Sequence, residues 1–63
     1  MASEFSVRFD CDDDAFHPEP GPEIARILRV VADRMEAGED ASRPVVIRDI
    51  NGNVVGTYKL TDP

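Results

Sequence analysis

Tryptophan is missing from this 63-residue chain, and cysteine, histidine and tyrosine occur once each. A single cysteine, Cys11, cannot close an internal disulfide, which suits a reducing cytoplasm. Cys11 and the lone His17 make a poor start on a zinc site, which needs about four ligands. No serine stands in recognisable relation to a histidine and an acid, and no glycine-rich phosphate loop occurs. A site built on His17 and neighbouring carboxylates is the one catalytic alternative, and nothing else in the chain supports it. No apolar run reaches the roughly 18 residues of a membrane span. The N-terminal stretch around Glu4 has no hydrophobic segment and reads as no signal peptide. These absences point away from an enzyme, a cofactor or metal carrier and a membrane protein, and toward a cytoplasmic binding protein.

At this length the expectation is one small domain spanning residues 1–63, of marginal stability. The candidate core is Phe5, Val7, Phe9, Ile24, Ile27, Leu28, Val31, Met35, Val45, Ile47, Val54, Tyr58 and Leu60. Holding the fold together uses nearly all of this apolar material, leaving little to line a deep substrate pocket.

Residues 4–10 alternate, with Phe5, Val7 and Phe9 on one side and Ser6, Arg8 and Asp10 on the other, as in a half-buried strand. From Asp10 to Gly21 the pattern breaks into a long loop, of the kind that is often functional or mobile. A helix is expected next. Pro22 suits its first turn and Glu23 the positive end of its dipole. Ile24, Ile27, Leu28, Val31 and Met35 form its apolar stripe. Arg29 and Asp33, four apart on its outer side, are placed to pair. Gly38 ends it in a left-handed conformation. Val45 to Leu60 reads as a hairpin closed by a two-residue type I′ turn at Asn51-Gly52. That register places Val45, Ile47, Val54, Tyr58 and Leu60 on the apolar face, with Ile47 opposite Gly56 and Asp49 opposite Val54. Val46 and Val55 then fall on the open face, where with Ile50 they would make a modest apolar patch. The expected fold class is α+β, in the order β-α-β-β: a three-stranded sheet with one helix on one face. The place of the first strand in that sheet is not encoded in any local pattern.

Thirteen acidic and seven basic residues give a net charge of −6. All of that excess lies in one stretch. Residues 10–23 hold Asp10, Asp12, Asp13, Asp14, Glu19 and Glu23 and no lysine or arginine, so the remainder balances at seven against seven. Asp10, Asp12 and Asp14 have the spacing that opens a calcium-binding EF-hand loop. That loop also needs glycine at its sixth position and glutamate at its twelfth, where this chain has Ala15 and Gly21. A solvated acidic turn is the plain reading. The alternative is that the six acidic residues form a partner-binding surface. Alternate residues of an extended segment lie roughly 6–7 Å apart, and a row of carboxylates competes for a basic groove built to hold nucleic-acid phosphates. Such a protein would itself repel nucleic acid and anionic membranes.

The strings Phe5-Ser-Val-Arg-Phe-Asp10, Glu23-Ile-Ala-Arg-Ile-Leu-Arg29, Ala32-Asp-Arg34 and Arg48-Asp-Ile-Asn-Gly-Asn53, with Val55-Gly56 after them, resemble short proteins encoded in phage and prophage genomes. The chain is also similar to the small acidic anti-CRISPR inhibitors of type I systems, and among them it resembles those of type I-C. The resemblance covers residues 5–60, and its strings are mostly structural. It implies a monomeric DNA mimic in the host bacterial cytoplasm that blocks target-DNA binding by a type I surveillance complex (Cascade). It assigns no role to particular positions. A different class of function, an assembly or adaptor protein that binds a host protein or self-associates through its sheet face or an edge strand, is the alternative.

Overall fold

The structure is a computed structural model and describes residues 3–62. It has the expected β-α-β-β order: β1 (Glu4–Phe9), α1 (Pro20–Glu36), β2 (Val45–Arg48) and β3 (Val54–Thr61), with a short 3-10 turn at Asp14–Phe16 between β1 and α1. The sheet is antiparallel throughout in the order β1-β3-β2, so β3 is central and β1 and β2 are edges. No helix among the described residues is long and apolar enough to cross a membrane.

The helix starts two residues before the expected point, with Pro20 at its first position. The N–H groups of a first helical turn have no intrahelical partner, so Pro20 and Pro22 lose nothing there and preset φ. Its far end is a Schellman motif. Gly38, at φ +90°, donates to the Met35 carbonyl at 3.0 Å, and Glu39 donates to the Arg34 carbonyl at 3.1 Å. Ile27 and Val31 are buried, with Ile24 and Met35 packed beside them, but Leu28 lies at the margin of the stripe and is 46% exposed. The Arg29–Asp33 pair does not form; the ion pair among the described residues joins Arg26 to Glu23.

The hairpin follows the expected register from Tyr58 opposite Val45 to Gly56 opposite Ile47, and then departs from it. A bulge sets Arg48 opposite Val54 and leaves Val55 unpaired in the β2–β3 ladder. Gly52 has φ +88°, whereas Asn51 has negative φ, so the turn is not type I′. The Gly52 N–H reaches the Asp49 carbonyl at 3.0 Å, and the Asp49 N–H reaches the Asn53 carbonyl at 2.9 Å. This is a three-residue loop, a type I turn followed by a left-handed glycine. As a result Val54 is 55% exposed, and Val55 packs against the core in its place.

The buried core cluster is Phe16, Ile27, Val31, Ala41, Ile47 and Tyr58. Phe16 and Ala41 come from segments that look polar in sequence, and Phe5, expected inside, is 43% exposed at the β1 edge. Gly56 sits directly against the backbone of β1. A Cβ there would lie 1.9 Å from the Arg8 carbonyl oxygen and 2.5 Å from the Phe9 Cα, so only glycine fits.

Candidate acidic interface

The segment that carries the charge excess is pinned to the core. β1 runs on one residue past its end, the Asp10 N–H donating to the Val55 carbonyl at 2.9 Å. Beyond it the backbone turns through Asp14–Phe16, closed by the Phe16 N–H on the Asp13 carbonyl at 2.9 Å. Phe16 is the anchor, with no exposed surface and its ring stacked on Phe9 at a centroid distance of 6.2 Å. Burying one Phe side chain contributes roughly 1.5–3 kcal/mol, enough to hold a short turn in place. Beside it, the exposed His17 brings its ring Nε2 within 3.2 Å of the Asp12 carbonyl oxygen.

Within this frame the six acidic residues divide. Asp10, Asp12 and Asp14 are exposed, with Cys11 and Asp13 half-buried between them. Exposure therefore alternates along residues 10–14, but the segment is not an extended strand: the chain bends at Asp13, and Asp14 opens the 3-10 turn. Glu19 is exposed at the N-cap of α1, where its side chain makes no capping hydrogen bond.

Glu23 does not belong to this surface. It occupies the first position of the buried helical stripe, one turn before Ile27, and is 6% exposed. Its carboxylate accepts from Arg26 Nε at 2.7 Å and Nη2 at 2.8 Å, and from the Ile50 N–H at 2.9 Å. The Arg26 guanidinium, helped by the Ile50 N–H and opposed by burial, holds its carboxyl below the usual range. Glu23 is thus a structural tie between helix and hairpin, and its charge is neutralised by Arg26. A charged side chain on an otherwise apolar stripe needs a partner to be buried, and Arg26, three residues on, was the available signal.

Asp13 is half-buried and meets a carboxylate that the sequence reading placed in a strand pair. Asp49 is 4% exposed and organises the hairpin loop. Its Oδ1 accepts the N–H groups of Asn51 and Asn53, both at 2.9 Å, and its Oδ2 accepts the Asn53 side-chain amide at 3.2 Å. Burial opposes the Asp49 charge, but these donors and Asp13 outweigh it and hold its pKa below the usual carboxylate range. Asp13 moves the other way, pushed up by its side-chain contact with Asp49, by burial and by the charges of Asp49, Asp14 and Asp12. Of the two carboxyls, Asp13 is therefore the one shifted toward the neutral form, and Asp49 the one held ionised. The Asp-x-Asn-Gly-Asn pattern at 49–53 was the legible sign that Asp49 turns back on its own loop.

Among the described residues, no three His, Cys, Asp or Glu side chains converge in a way that would hold a metal ion. The chain matches no known protein family, and no curated protein or solved structure is significantly similar to it.

Proposed function

We propose that this chain is a phage-type anti-CRISPR inhibitor, non-enzymatic and acting in the bacterial cytoplasm, whose acidic end occupies the DNA-binding groove of a type I surveillance complex. The observation that carries the reading is the row of exposed carboxylates at Asp10, Asp12 and Asp14, fixed by Phe16 and extended by Glu19. The unfavourable Asp13–Asp49 contact adds support. Two carboxyl groups held against each other destabilise a fold, and such local conflicts concentrate at functional sites. A pre-ordered row of charges also avoids the entropy cost of ordering a loop on binding.

Replacing Asp10, Asp12 and Asp14 together with Asn tests the surface. Inhibition is expected to fall by an order of magnitude or more, because contacts to a phosphate-binding groove are strongly charge-dependent. Neutralising Asp33 and Glu36, exposed on the outer face of α1, is expected to leave inhibition nearly unchanged. Equal inhibition by the triple variant and its parent would rule out mimicry through this row.

A further inference from the structure

Edge strands of stable monomers are usually guarded by proline, a bulge or an inward-pointing charge. β1, Glu-Phe-Ser-Val-Arg-Phe, has none of these. Its charges, Glu4 and Arg8, lie on the open face and are of opposite sign, so they guard against most partners but not against a copy that pairs them. Beside it an open groove of about 420 Å³ runs between the strand and α1, lined almost wholly by apolar atoms of Phe5, Val7, Leu28, Ala32, Met35 and Leu60. Phe5 and Leu28, the two side chains expected in the core and found 43% and 46% exposed, both lie in it.

The ladder fixes which backbone groups of β1 are free. The Asp10 N–H bonds to Val55, so along β1 the even-numbered residues point their backbone groups at β3. Those of Phe5, Val7 and Phe9 point outward. An antiparallel strand added to this edge must bond to these residues. If that strand is a second copy, continuity of the two faces requires odd residues to pair with odd. Setting Phe5 opposite Phe9 places Glu4 against Asp10, two like charges. Setting Phe5 opposite Phe5 leaves Glu4 against Ser6. Only Phe5 opposite Val7 brings Glu4 against Arg8, and symmetry makes that contact twice. The same register sets Phe5 beside Val7 of the second copy on the groove side, so the two apolar grooves meet.

We propose that β1 is the seam of a symmetric homodimer, pairing antiparallel with β1 of a second copy about a two-fold axis at Ser6. The result is a six-stranded sheet with both helices on one face, in place of the monomer expected from the sequence. Self-repulsion does not prevent it. The two Asp10 residues fall roughly 26 Å apart along the seam, beyond the screening length of about 8 Å at physiological salt. The inference stands independently of the inhibitor reading.

Sedimentation equilibrium of the full chain should show mass rising with concentration from 7.0 kDa toward twice that value. Arg8→Glu should weaken association about tenfold, since opposed charges on paired strands are replaced by like ones. The double substitution Glu4→Arg, Arg8→Glu should restore it. In a Cys11→Ser background, Ser6→Cys should oxidise readily to a linked dimer. Paired residues at a non-hydrogen-bonded site have Cα atoms about 4.5 Å apart, within disulfide reach. Thr57→Cys, exposed on the same face but on the central strand, should cross-link far more slowly. A mass of 7.0 kDa at millimolar concentration would overturn the proposal, as would Ser6→Cys cross-linking no faster than Thr57→Cys.

Discussion

Three buried or half-buried acids, Asp13, Glu23 and Asp49, show how differently one side-chain type behaves when its surroundings change. Glu23 and Asp49 are surrounded by N–H donors and stay ionised, whereas Asp13 faces another carboxylate and is driven toward the neutral form. Their effects on stability have opposite signs. Glu23 has a folded pKa below its usual value near 4.5, so its contribution is present at neutral pH and fades as pH falls through the folded value. Glu23→Gln should cost about 1–2 kcal/mol at pH 7, since hydrogen bonds to a charged group are worth about 1.5–3 kcal/mol and the partly exposed Arg26 discounts that. The deficit should shrink in acid. Asp13 has a folded pKa above its usual 3.8, so its favourable contribution exists at low pH and is lost as pH rises through the folded value. Asp13→Asn should therefore raise the melting temperature at pH 7, and the gain should vanish below pH 3.8. Thermal melts of both variants from pH 3 to 8 check the pair; a loss of stability in Asp13→Asn at pH 7 would contradict the upward shift of Asp13.

At the scale of elements, what could be read from sequence was what depends on local periodicity. β1 and α1 form where the alternation of residues 4–9 and the helical stripe put them, because each repeats its signal several times. Even so, Phe5 and Leu28 at the margins are exposed, and the helix begins two residues early at Pro20. The Gly38 stop was legible because glycine favours the left-handed cap. Features set by a single side chain were missed. Asp49 captures three donors of its own loop, and that capture shifts the hairpin by one residue, exchanging Val54 for Val55 in the core. Phe16 is one aromatic residue in a polar stretch, with no periodic partner to mark it as buried. Its removal is a sharp test of the anchoring. Phe16→Ala should destabilise the protein by about 3–5 kcal/mol, and amide exchange at residues 12–17 should quicken beyond that of the sheet. Gly56 is a second single-residue constraint. Gly56→Ala should cost more than about 2 kcal/mol, because its Cβ would strike the backbone of β1 rather than a side chain able to move. Unchanged melting in urea would mean that the two strands are farther apart than described.

For the whole molecule, the charge excess and the apolar groove lie on different parts of the surface. The carboxylates extend past the Phe9 end of β1, and the groove flanks the strand itself. The acidic end was visible in the sequence as a block of six acidic residues, although folding removes Glu23 from it and sets Asp49 beside Asp13. The groove was not visible, because nothing local marks β1 as an edge strand. The two surfaces also differ in their response to salt: binding through the carboxylates weakens steeply as ionic strength rises, while the seam, largely apolar, loses only the part carried by its Glu4–Arg8 pairs. The most direct test of the central claim is competition at the DNA groove. Purified type I surveillance complex, immobilised with and without its double-stranded target, is offered this protein over a range of salt. The mimicry account predicts binding to the empty complex, no binding to the DNA-loaded complex, and affinity that falls steeply through the physiological salt range. Equal binding to both forms, or binding indifferent to salt, would contradict it.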